Sequence, residues 1–153
     1  MPWARSSALA QPTHQGSSMT THQDLLDESA LALKQAYAPY SQLYVGAALR
    51  SANGKMYSGC NVESGAFSTG SCAERNAIAA AVRAEGAGFQ LAAIAISATD
   101  RTGKSLPIPP CGSCRQMIKE LGPDAQVLFL GADGDIIHAQ IGDLLPHSFS
   151  LAT

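Results

Sequence analysis

Leu91-Ala92-Ala93-Ile94-Ala95-Ile96-Ser97-Ala98 is the run of sequence on which the fold turns. It carries no charge and a single hydroxyl, so neither face suits water, and it predicts a central strand covered on both sides. A long loop over Thr99–Pro110 follows, ending in Pro-Ile-Pro-Pro. Cys111–Leu121 then reads as a helix stopped by Gly122-Pro123, and Gln126–Leu130 as the next strand. Strand, helix and strand in that order form a right-handed crossover, which sets the two strands parallel.

Outward from this unit the signals stay local. Asn53-Gly54 lies between Leu43–Ser51 and Met56–Val62, the strongest short-range mark of a hairpin. A Gly/Ser-rich loop, Ser64–Ser71, leads into an alanine-dense helix over about Cys72–Arg83. Further back, Thr21 and Asp24 have capping-box spacing. Leu25, Leu26, Ser29, Ala30, Leu33 and Tyr37 then form one helical stripe, which Ala38-Pro39 ends. Beyond Asp133-Gly134, Asp135–Gln140 reads as a fifth strand, and Asp143–Leu145 as a short closing helix before Pro146. The order α-β-β-α-β-α-β-β-α predicts a three-layer α/β/α sandwich around a five-stranded mixed sheet.

At 153 residues the chain is sized for one domain and can bury a core without disulfide staples. That domain is expected over residues 22–153. Residues 1–21, with Pro2, Pro12, Gly16 and several serines, read as a disordered tail that contains a second candidate start at Met19. Ten basic against twelve acidic side chains give a net charge of −2, which argues against a partner bound by neutralising phosphates. No apolar run is long enough for a membrane span. Four cysteines in a chain of this length suit a reducing, cytoplasmic setting better than a secreted scaffold. Charged residues are only 14% of the chain, so part of the outside is expected to be buried in an oligomer.

The chemistry concentrates in Cys72-Ala73-Glu74 and Pro110-Cys111-Gly112-Ser113-Cys114. Cys-x-x-Cys at a helix start brings two thiols within reach of one metal ion, and Cys72 opens the other helix. Helix N-termini favour the thiolates that a metal needs. Three thiolates leave one tetrahedral position of zinc open, as a catalytic site requires. A redox pair or a closed structural site would use the same Cys-x-x-Cys. Cys60, the one remaining cysteine, lies in a strand where a buried small hydrophobe is the usual fate. Glu74 favours the catalytic reading, because a carboxylate beside an open zinc position can accept a proton from water.

Cys-x-Glu with Pro-Cys-x-x-Cys is the signature of zinc nucleobase deaminases. Around it stand Tyr37-Ala38-Pro39-Tyr40-Ser41, Val45-Gly46-Ala47-Ala48, Gly59-Cys60-Asn61-Val62-Glu63, Cys72-Ala73-Glu74-Arg75, Pro110–Gln116 and Leu144-Leu145-Pro146-His147-Ser148-Phe149. Together they resemble the small cytidine deaminases of nucleoside salvage, from about Tyr37 to Phe149. The resemblance implies that Cys72, Cys111 and Cys114 bind one zinc ion per subunit and that Glu74 shuttles protons. It implies that Asn61 and Glu63 hold the ribose 3′-hydroxyl and that the Ala73 backbone meets the pyrimidine. It implies a homotetramer in which Phe149 stacks near the base of a neighbouring subunit. Arg75 would offset the charge of three thiolates, and Arg115 would be a bystander or an interface residue. The implied reaction is hydrolytic deamination of cytidine and 2′-deoxycytidine, small-molecule nucleosides.

Four positions depart from the family pattern. Leu43 stands for an aromatic residue, Phe67 for a tyrosine, Gly65 for an alanine, and Pro109-Pro110 for Ser-Pro. Each bears on substrate preference and none on the zinc chemistry. An aminonucleoside-antibiotic deaminase is the nearest rival, and Asn61-Val62-Glu63 argues against it because that carboxylate suits a free ribose hydroxyl. A polynucleotide-editing enzyme would need a basic aromatic groove. In a non-catalytic zinc module Glu74 would have no purpose.

Overall fold

A computed structural model describes residues 20–151. Its elements are α1 (His22–Ala32), β1 (Tyr44–Ser51), β2 (Met56–Cys60), α2 (Ala73–Glu85), β3 (Leu91–Thr99), α3 (Gly112–Leu121), β4 (Gln126–Leu130), β5 (Ile136–Gln140) and α4 (Ile141–Leu144). The strands form one sheet in the order β2-β1-β3-β4-β5. β3 and β4 pair parallel and the other neighbours antiparallel, as the crossover through α3 demands. The expected mixed sheet is therefore present, with β3 at its centre.

Two cores explain the layers. On one face Ala47, Leu49, Ile94, Ile96, Val127 and Phe129 pack with Ala77 and Ile78 of α2, Ile118 of α3 and Ile141 of α4. On the other, Ala48, Ala93, Ala95 and Leu128 meet Leu25 of α1. Neighbouring β3 residues serve opposite faces, which is why the whole run had to be apolar.

Two glycines set how closely helices lie on the sheet. A Cβ on Gly46 would collide with the Ser29 carbonyl and the Leu33 amide of the α1 segment. A Cβ on Gly59 would stand 2.5 Å from the Ala77 amide and 2.9 Å from the Ala73 carbonyl. The second approach matters more for function, because it seats the start of α2 against β2.

The capping box is formed: Thr21 N–H donates to Asp24 Oδ2 at 2.7 Å, and Asp24 N–H donates to Thr21 Oγ1 at 3.1 Å. Of the tail expected over residues 1–21, only Thr20 and Thr21 are described. The Thr20 carbonyl accepts from Arg50 Nη1, and Met19 lies outside the described residues. Three local expectations are corrected. Tyr37 does not belong to the α1 stripe, because the helix tightens into a 3₁₀ turn over Leu33–Gln35 and Ala36 is extended. Tyr37 instead bridges Val62 and is 57% exposed. Cys60 is half-buried rather than buried. The closing helix falls at Ile141–Leu144, earlier than the Asp143–Leu145 expected.

Candidate active site

Two helix starts converge. Cys72 is the N-cap of α2 and Cys111 the N-cap of α3, both with extended backbone and neither using its side chain as a cap. A thiol is a poor capping acceptor, so both sulfurs are left free for another partner. The Cys72, Cys111 and Cys114 Sγ atoms all lie within 4.8 Å of one another. Cys72 Sγ and Cys111 Sγ are 3.9 Å apart. Two thiolates on a tetrahedral zinc at about 2.3 Å would stand about 3.8 Å apart, so the donor set fits zinc. Cys60 is not part of this cluster, among the described residues the one such group of three.

Charge around the sulfurs is divided unequally. Hydrogen bonding from Cys114 lowers the Cys72 thiol to about 6, helped by Cys111 and the Arg75 guanidinium. Cys114 is pushed upward by its bond with Cys72 and by burial. The two sulfurs are thus unequal: Cys72 gives up its proton readily, and Cys114 holds its proton unless a cation stands beside it. Glu74, in the first turn of α2, is only 4% exposed. Burial raises its pKa, and the Cys72 thiolate adds to the effect. Arg75 donates from Nη2 to the Gly70 carbonyl at 2.9 Å, while its Nε is buried without a hydrogen-bond partner. An orphaned cationic donor beside a cluster of sulfurs again fits a centre with net negative charge.

The segment before α2 carries the remaining site residues. Val62 N–H and Ser71 N–H each donate to the other's carbonyl at 2.9 Å, tying this segment to the residue before Cys72. Tyr37 N–H donates to the Asn61 carbonyl at 3.0 Å, and Glu63 N–H donates to the Tyr37 carbonyl at 2.8 Å. Asn61 accepts at Oδ1 from Val45 N–H and donates from Nδ2 to the Leu43 carbonyl, both at 2.8 Å. Asn76 Nδ2 donates to the Cys60 carbonyl at 2.8 Å, fastening α2 to the end of β2. Ala73 is fully buried at the first position of α2.

Glu63 faces a different environment from Glu74. Its Oε2 accepts from the Tyr40 and Ser41 amides at 2.9 and 3.2 Å, and its Oε1 accepts from the Ser41 hydroxyl. The Ser41 hydroxyl, with the two amides behind it, holds this carboxylate below its ordinary pKa. A cavity of about 410 Å³ opens there, lined by Tyr40, Ser41, Glu63, Ser64, Phe67 and Gly70. Tyr40 and Phe67 meet edge-on with ring centroids 5.5 Å apart. Phe67 is 78% exposed and Phe149 64% exposed. Leu43 packs against the larger core and does not line the cavity.

Sequence reading missed three residues. Ser41 caps Glu63, and its signal was only its place after Pro39-Tyr40 in a turn. Arg115, expected to be a bystander or an interface residue, is half-buried and donates to the carbonyls of Pro110 and Leu144. Gln116 donates to the Phe149 carbonyl. The last two act across long sequence separations, and no local pattern announces them.

The chain has relatives among known proteins. Residues 19–130 match the family model described as "Cytidine and deoxycytidylate deaminase zinc-binding region". This chain belongs to the cytidine and deoxycytidylate deaminase family. A cytidine deaminase of Sporosarcina psychrophila is 41% identical over 127 residues, 82% of this chain and 89% of that protein. One from Halalkalibacterium halodurans is 38% identical over 129 residues, 84% of this chain and 93% of that protein. The crystal structure of cytidine deaminase from Burkholderia pseudomallei superposes with a TM-score of 0.73 at 41% identity, covering 84% of this chain and 99% of that one. The matched region contains all three cysteines and Glu74, and ends before Phe149. Among the described residues no helix is long and apolar enough to cross a membrane.

Proposed function

We propose that this protein hydrolyses cytidine and 2′-deoxycytidine at C4, giving uridine or 2′-deoxyuridine and ammonia, as a cytoplasmic enzyme of pyrimidine salvage. One observation carries the proposal: a buried glutamate stands beside three converging thiols where two helices begin. Cys72, Cys111 and Cys114 would hold zinc, which when bound would supply the Lewis acidity that makes water a nucleophile near neutral pH. Glu74 takes a proton from the attacking water and delivers it to N3 of the ring. It then takes the second proton from the hydroxyl now on C4 and gives it to the departing amine, so that the C4–N bond breaks as the C4 carbonyl forms. A carboxyl whose pKa burial has raised suits both directions of transfer.

Asn61 and Glu63 hold the ribose 3′-hydroxyl. Their oxygens accept bonds from the chain's own amides, and that contact pre-orients them for the sugar. The Ala73 backbone meets the pyrimidine at the helix start. Arg75 offsets the negative charge of the sulfurs. The rings of Phe67 and Phe149 project from the chain, which favours a homotetramer in which Phe149 stacks on the base bound by a neighbour. Residues 22–153 act as one deaminase domain.

Loss of cytidine absorbance with ammonia measured in parallel tests the activity. Release of ammonia from an aminonucleoside antibiotic with cytidine left untouched would overturn it. Light scattering should give four chains per particle, and a fully active monomer would remove the role given to Phe149.

A further inference from the structure

Arg115 follows the buried Cys114 in the first turns of α3, and its side chain folds back along the helix instead of extending into water. Nε donates to the Pro110 carbonyl at 2.8 Å, one residue before Cys111. Nη1 donates to the carbonyl of Leu144, the last residue of α4, at 2.9 Å. The next residue, Gln116, donates from Nε2 to the Phe149 carbonyl at 3.1 Å. Two consecutive side chains therefore hold one carbonyl of the metal loop and two of the C-terminal segment. Cys111 itself is exposed and makes no side-chain cap, so its sulfur is placed by the backbone that Arg115 grips. A guanidinium spans two carbonyls because its donors lie fixed in one plane, which a single ammonium on a flexible stem does not reproduce.

We propose that Arg115 is a positioning residue that locks the Pro110–Cys111 loop to the end of α4. Metal retention then depends on a seated C-terminal segment. Gln116 extends the clamp to the backbone of Phe149. The clamp builds on the zinc-site reading of the three cysteines, and partners one step removed from a metal ligand typically change metal affinity by about 10–100-fold.

The test uses the full-length, zinc-loaded protein with an excess of a chromogenic chelator. Arg115→Lys keeps the charge and loses the fork, so it should release zinc about 10–100-fold faster than wild type, as should Arg115→Ala. Gln116→Ala removes only the Phe149 end of the clamp and should speed zinc release by less than Arg115→Lys does. In cobalt(II)-substituted protein, Arg115→Lys should alter the visible d–d bands of the three-sulfur site, a signature that general loss of stability does not produce. Wild-type zinc release and unaltered cobalt bands in Arg115→Lys would overturn the proposal. If Arg115→Ala fails to fold, the lysine variant and the cobalt spectrum decide alone. Both readouts are taken without substrate, so the clamp and the deaminase reaction can fail separately.

Discussion

Glu74 and Glu63 lie eleven positions apart, and the chain treats them in opposite ways. Glu74 is sealed at the start of α2 beside three thiols, where burial raises its pKa. Glu63 lies on an open wall with Tyr40, Ser41 and Phe67, where hydroxyl and amide donors hold its pKa down. The three thiols and Glu74 all come from one chain, at the starts of two helices packed against the core. The wall around Glu63 is pre-oriented but not enclosed, with Phe67 and Phe149 projecting outward. Proton transfer is therefore expected to be a property of the single chain, and enclosure of the sugar a property of the assembly.

The largest effect expected at the metal end is that of Glu74→Gln. Glutamine keeps the shape and cannot accept a proton at neutral pH. The kcat should fall by about 10²–10⁴-fold, or roughly 3–5 kcal/mol of barrier, with zinc content and substrate affinity kept. More than about a tenth of wild-type turnover would break the contrast between the two glutamates.

Glu63→Gln should act on the other side of it. Losing one charged hydrogen bond to the sugar should raise the KM for cytidine about 10–100-fold, with a much smaller change in kcat. The same residue sets a pH signature. Its folded pKa is depressed, so its contribution to stability is present above the usual carboxylate range and is lost as pH falls through the folded value. Melting curves of wild type and Glu63→Gln should converge as pH falls below the usual carboxylate range. A constant separation there would show that the Ser41 and Tyr40 contacts do not stabilise the folded state.

Phe149→Ala should be milder still. An aromatic contact is worth about 0.5–1.5 kcal/mol, which is about a 2–10-fold rise in KM, with zinc stoichiometry unaltered. An unchanged KM would place the base outside the reach of this ring. Cys60→Ser should change least, leaving one zinc per chain by elemental analysis. Loss of stoichiometric metal there would mean a closed four-cysteine site.

Sequence alone determined the order of the elements, the parallel pairing of β3 and β4, the capping box, and the three thiols with Glu74. Each is written in local spacing or in a scarce residue type: an unbroken apolar run, Asn-Gly between strands, a Cys-x-x-Cys at a helix start. Only the tertiary structure decided that Tyr37 leaves the helical stripe to bridge Val62, that Ser41 holds Glu63, and that Arg115 reaches Leu144. Those are hydrogen bonds between segments 22 to 29 residues apart. A side chain's own neighbours in sequence carry no record of which distant carbonyl folding will bring to it.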